Sequence, residues 1–130
     1  MKGFPMLKLT MHVKRLPHLT REEFDIYWSD HHGPLVRSHQ KILRIRRYVQ
    51  TSPLGDHLAQ EAIRASRSAL EADFDGCAEL WWDSLEDHAA ARKTDEGAAA
   101  LRELMDDERK FVDLSRSQLW YGTERQIIPE

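Results

Sequence analysis

A chain of 130 residues is long enough for one hydrophobic core. Hydrophobic residues at 41% and charged residues at 32% describe an ordinary globular composition, and a net charge of −3 leaves no basic footprint for nucleic acid. The single cysteine, Cys77, excludes an intrachain disulfide, which fits a reducing, cytoplasmic setting, and no stretch approaches the ~20 apolar residues of a membrane span.

The opening MKGFPMLKLTMHV lacks the long apolar centre of a signal peptide. Within it Leu7, Leu9, Met11 and Val13 alternate with Lys8, Thr10, His12 and Lys14, which predicts a first strand. Leu16-Pro17-His18-Leu19 turns the chain into a helix that Thr20 caps, with Glu23 completing a capping box. On that helix Phe24, Tyr27, Trp28, His31 and Leu35 form an aromatic stripe at helical spacing. His32 falls at the edge of the same face, four residues after Trp28, and Gly33-Pro34 predicts a helix break just beyond. Two ionisable rings in an aromatic setting beside a break mark a candidate pocket.

Residues 42–51, ILRIRRYVQT, read as a second strand, and Arg44, Arg46 and Arg47 as strand and rim charge. Ser52-Pro53-Leu54-Gly55 interrupts the chain. A helical pattern over 57–70 carries a modest apolar stripe, and Asp75-Gly76 introduces a third strand, CAELWWD, over 77–83. Ser84 caps a short helix with Glu86 and Asp87 near its start, 94–97 is a junction, and 98–112 is a longer helix. A final strand spans 116–123, and 124–130 is a tail or an arm of a single domain covering 1–130.

The order β-α-β-(α)-β-α-α-β predicts an α+β, ferredoxin-like protomer: a four-stranded antiparallel sheet with helices on one face. Trp81, Trp82, Trp120 and Tyr121 place aromatic groups on both faces of their strands, so the face without helices calls for a partner. A homodimer through the sheet answers that need.

Several of these segments together resemble the EthD family, whose ferredoxin-like protomers belong to the dimeric α/β-barrel superfamily. The resemblance rests on MHVKRLPHLTREEFDIYWSDHHGPLV, on the strand ending RRYVQ, and on FDGCAELWWDSLED and DDERKFVDLSRS. The family pattern W-x-x-x-H-x-P falls on Trp28, His32 and Pro34, so His32 corresponds to the family histidine while His31 occupies a variable place. The acidic pattern before the last strand falls on Asp107, Glu108, Phe111 and Asp113. The resemblance implies a dimeric barrel and a range of activities, from dehydratases and polyketide cyclases to cofactor-free oxygenases and haem enzymes. Shared fold does not choose among them.

The residues themselves support acid–base chemistry. An imidazole titrates near ~6.5 and needs little tuning to trade a proton at neutral pH. His32 is the leading candidate, weighed against a structural ring that only tethers the Gly33-Pro34 turn. Glu108 interrupts the stripe Leu101, Leu104, Met105, Phe111, Val112, so it assists the histidine, reaches solvent, or pairs with an arginine such as Arg47. Asp106 and Asp107 are expected to face water. Glu79 suits an interface salt bridge, Cys77 a small core position, and His12 either the pocket or the dimer interface. No ligand set of plausible metal spacing and no Gly-rich phosphate loop can be assembled, so neither metal nor nucleotide cofactor is expected.

The preferred expectation is a cofactor-independent lyase or isomerase, of dehydratase or cyclase type, acting on a small hydrophobic oxygenated ring or polyketide-like compound. His32 is its acid–base residue with His31 or Glu108 assisting. Phe24, Tyr27, Trp28, Tyr48, Trp82 and Phe111 form the substrate wall, and the 57–70 helix is a candidate lid. The alternatives are a cofactor-free oxygenase of an aromatic substrate, a non-catalytic small-molecule binding protein and, more weakly, a haem enzyme with an axial histidine.

Overall fold

The computed structural model describes residues 6–130. Four strands, β1 (Leu7–Val13), β2 (Arg47–Thr51), β3 (Gly76–Trp82) and β4 (Gln118–Thr123), form one antiparallel sheet in the order β2-β3-β1-β4. Between β1 and β2 run α1 (Arg21–Tyr27), a π-helical turn (Trp28–His32), α2 (Gly33–Ser38) and α3 (Gln40–Leu43). The β2–β3 connection holds α4 (His57–Ser66), and α5 (Leu85–Lys93), α6 (Asp95–Glu108) and a 3₁₀ turn (Leu114–Arg116) precede β4. This is the ferredoxin-like α+β plan, with α4 added to it.

The period of two along the strands sorts their side chains onto two faces. Leu7, Leu9, Met11 and Val13 of β1 pair with Trp82, Leu80, Ala78 and Gly76 of β3, and this set meets the helices. Phe24 and Phe111 are the largest side chains sealed there, within ring contact at 5.5 Å. Truncating either would cost about 3–5 kcal/mol. At the β1–β3 end of the sheet, buried Asp75 accepts from the Arg15 backbone N–H at 2.8 Å and from its guanidinium at 2.6 Å, fixing the approach to α1.

The opposite face carries Lys8, Thr10 and His12 beside Trp81, Glu79 and Cys77, with Trp120 half exposed. Here Arg47 and Lys8 lie over the Trp81 ring at 4.7 and 5.1 Å, and Lys8 also pairs with Glu79. Glu79 is thus satisfied within its own chain. His12 belongs to this face, 5.0 Å from the Phe74 ring, and is not on the helix side.

Several element boundaries differ from the sequence reading for local reasons. Residues 42–46 are not strand: Ile42 and Leu43 finish α3, and Arg44 closes it in the left-handed region at φ 58. A short apolar run such as ILRI carries no period that separates helix from strand. The longer helix starts at Asp95 because the Thr94 hydroxyl accepts from Gly97 N–H at 2.9 Å. It ends at Glu108, which frees Val112 to bridge to Arg15. The 57–70 helix stops at Ser66, with Ser68 at φ 48. β4 begins at Gln118, after the 3₁₀ turn.

Candidate active site

The Thr20 hydroxyl accepts from Glu23 N–H and the Glu23 carboxylate accepts from Thr20 N–H, each at 3.0 Å, so α1 starts as a full capping box. The helix does not break at Gly33-Pro34. Gly33 N–H instead reaches back five residues to the Trp28 carbonyl, and this wider turn accommodates a proline that lacks its own N–H. The extra residue in the turn also shifts the phase of the helix. His32, 6% exposed, takes the inward place, while His31 is exposed with its ring edge-on to Tyr27 at 4.8 Å.

Facing His32 is the end of α6. Asp107 Oδ2 lies 2.8 Å from His32 Nδ1, and its Oδ1 accepts from the Tyr27 hydroxyl at 2.6 Å. Asp107 is buried, contrary to the water-facing place expected for it, because Ala100, Leu104, Asp107 and Phe111 share one stripe of buried positions. Burial opposes ionisation of Asp107, but the hydrogen bonds from Tyr27 and His32 outweigh it and hold the carboxyl below its ordinary value. The Tyr27 hydroxyl is pushed up to about 12 by burial and by donating to this carboxylate. Burial lowers the His32 pKa more than Asp107 raises it. A carboxylate therefore faces a neutral imidazole, which assigns the ring proton to Nδ1 and the free lone pair to Nε2.

His32 and Glu108 line the same cavity, about 330 Å³ in volume, which lies between the helix face of the sheet and α6 and opens to solvent past Leu119 and Tyr121. That is the low end of the range for small-molecule sites. Leu9, Met11, Leu101, Leu104 and Met105 make most of it apolar. Glu108 is half-buried, and burial followed by the Asp107 charge raises its pKa to about 7, with Arg109 opposing. It does not pair with Arg47, which is committed to Trp81 on the other face of the sheet. It is Asp107, not Glu108, that orients His32.

Of the aromatic residues expected in the wall, Trp28, Tyr48, Trp82 and Phe111 line the cavity. Phe24 sits behind it in the core, and Tyr27 acts at one remove through Asp107. The α4 helix contributes nothing to the lining and has no buried residue, so it is not a lid in this conformation. His88, Arg92, Leu119 and Tyr121 also line the cavity, and His88 is buried there, not part of the solvated charge cluster that its place after Glu86-Asp87 suggests. Among the described residues, no three His, Cys, Asp or Glu side chains gather as a metal shell, and no helix is long and apolar enough to cross a membrane.

Together the cavity offers a neutral base with its lone pair free and a carboxyl group that is half-protonated near neutral pH. Such a pair can remove a proton from one atom and give one to another.

Comparison with known proteins places the chain. An EthD family protein from Bacillus halodurans is 27% identical and superposes with a TM-score of 0.61, the match covering 92% of this chain and 99% of that one. A hydroxynitrile lyase from Passiflora edulis shares the fold at 9% identity and a TM-score of 0.61, over 98% of this chain and all 100% of its own. SnoaB, a cofactor-independent oxygenase from Streptomyces nogalater, does so at 12% identity and a TM-score of 0.53, over 97% and 99% of the two chains. No curated protein matches the sequence. The model of the EthD domain matches residues 16–115, and the chain belongs to the EthD family.

Proposed function

We propose that this protein is a cofactor-independent lyase or isomerase, of dehydratase or cyclase type, whose substrate is a small hydrophobic ring compound bearing oxygen. The observation that carries the reading is the buried Asp107–His32 hydrogen bond at the wall of an apolar cavity that also holds Glu108. His32 Nε2 takes a proton from the carbon next to a substrate carbonyl, and Asp107 stabilises the imidazolium that forms. In a dehydration, the Glu108 carboxyl then gives its proton to the departing hydroxyl. The C–H and C–O bonds break, a C=C bond forms and water leaves. Transfer of the proton from His32 back to Glu108 restores the starting state. One well-placed acid or base contributes ~10²- to 10⁴-fold. The wall of Trp28, Tyr48, Trp82 and Phe111 selects flat, apolar substrates.

Two structural neighbours supply context for the fold. One is a hydroxynitrile lyase and the other a cofactor-independent oxygenase. The test is turnover of a panel of β-hydroxy ring ketones, followed by mass spectrometry with dioxygen uptake recorded in parallel. Loss of 18 mass units without oxygen consumption, abolished in His32→Ala, is the expected result. Full activity in His32→Ala would sink the mechanism, and stoichiometric oxygen uptake would assign the same base to an oxygenase.

The assembly that suits this site is a homodimer through the outer sheet face. Trp120 is 53% exposed there, an apolar surface that a second copy would cover. Sedimentation should show a dimer that Trp120→Arg converts to monomer; a wild-type monomer would contradict this assembly.

A further inference from the structure

The cavity has a second polar group, distant from the first. His88 of α5 is 5% exposed, with its ring edge-on to Trp82 at 4.4 Å and to Tyr121 at 5.4 Å. A buried imidazole ordinarily finds a hydrogen-bond partner, yet the His88 ring nitrogens have none among the described residues. They are not sealed away either, since the only fully occluded unpartnered side-chain atom described is Trp81 Nε1. His88 thus presents its nitrogens to the cavity it lines. Arg92, one helical turn further along α5, lines the same cavity and lies close enough to depress ionisation of His88, though burial is the larger cause. No carboxylate among the described residues forms an ion pair with Arg92. Asp87, the acid beside His88 in sequence, is engaged by Arg44 at 2.6 Å.

Strand register separates this group from His32. Trp82 and Tyr121 stand opposite Leu7 and Leu9 of β1. The Phe111 ring lies 5.0 Å from His32, and the neighbouring Trp28 ring packs at Gly76, opposite Val13. The two groups therefore sit over opposite ends of β1, roughly 13–20 Å apart along the strand. Among the described residues the acid lining the cavity is Glu108, next in sequence to the Asp107 that holds His32, while the polar groups gathered with His88 are Arg92 and Tyr121.

We propose that Arg92, His88 and Tyr121 form an anion subsite that takes a carboxylate on the substrate, so the ring compound is an acid held at one end while its reacting carbon meets His32. This deepens the acid–base reading above and rests on it for where the chemistry occurs. The guanidinium supplies charge at the cavity mouth, and the imidazole N–H and the phenol supply directed donors to a carboxylate seated there.

The test compares binding of 2-naphthoate with that of 2-naphthamide, which has the same ring and shape without the charge, by calorimetry on the full-length protein. Wild type should bind the naphthoate about 10- to 100-fold more tightly, the value of one charge-assisted contact. Arg92→Gln, an exposed and structurally benign change, should bring that ratio close to one, and His88→Gln should lower it in part. His32→Ala should keep it. Equal affinities in wild type, no binding of the naphthoate, or a ratio intact in Arg92→Gln would each overturn the subsite. Turnover retained in His32→Ala with the naphthoate preference intact would overturn the acid–base reading and leave the subsite standing.

Discussion

Asp107 and His32, 75 positions apart in sequence, meet at 2.8 Å through Oδ2 and Nδ1. The contact joins the end of α6 to the π-helical turn, and it decides which histidine nitrogen faces the cavity. Everything the site can do follows from that orientation.

Asp107→Asn tests the orientation. Tyr27 O–H and His32 Nδ1–H donate to different oxygens, Oδ1 and Oδ2, and an amide turns one of those two positions into an NH₂ donor. One donor is orphaned, or the imidazole adopts the other tautomer and loses its lone pair at Nε2. We expect kcat to fall about a hundredfold or more with KM little changed. Asp107 raises the His32 pKa against the effect of burial. The acidic limb of the pH–rate profile should therefore move to lower pH in the variant. An unmoved limb would show that Asp107 only holds the fold together.

Glu108 predicts a pH window. The base must be neutral, so activity rises through the His32 pKa, which burial places below 6.5. The acid must be protonated, so activity falls through about 7. Glu108→Gln should lower the rate and erase the alkaline limb. Ionisation of Glu108 should lower stability as well. The pKa of Glu108 is raised on folding from 4.5 to about 7, so its ionisation weakens the native state as pH rises through that interval. The full shift would be about 3 kcal/mol, and partial contact with the cavity reduces it to about 1–2 kcal/mol. Glu108→Gln should gain that much at pH 8 and almost nothing at pH 4, as read from urea midpoints.

Gly76→Ala tests how the wall is held. A Cβ there would lie 2.5 Å from Cζ3 and 2.7 Å from Cη2 of Trp28, a ring only 3% exposed. The ring has nowhere to move in a packed core, so the substitution should cost about 1–3 kcal/mol. Because Trp28 begins the π-helical turn that presents His32, activity should fall further than stability alone explains. A variant as stable as wild type would contradict this packing.

Much of the fold is legible in the sequence because short-range rules govern it. The alternation in β1, the capping box at Thr20 and the Ser84 cap, where the hydroxyl accepts from Asp87 N–H at 3.0 Å, are local events. The ferredoxin-like order follows from them. What the sequence hides depends on non-local or irregular geometry. A strict 3.6-residue period puts His31 inside; the π turn adds a residue and puts His32 there. That choice was recoverable from the W-x-x-x-H-x-P pattern, not from periodicity. Asp107 lies on the buried stripe of its helix but was read as a surface acid, since nothing in its own neighbourhood announces Tyr27 and His32 as donors. His88, Arg92 and Tyr121 meet only once β3, α5 and β4 are in register.

The central claim is that His32, held by Asp107, is a base at the cavity wall. Solvent deuterium exchange at the carbon next to the carbonyl of a ring ketone such as 2-tetralone, followed by proton NMR, reads that step without knowledge of the natural substrate. Wild type should accelerate the exchange well above buffer, Asp107→Asn should retain a small part of it, and His32→Ala should fall to the buffer rate. Exchange by His32→Ala as fast as by wild type would contradict the claim.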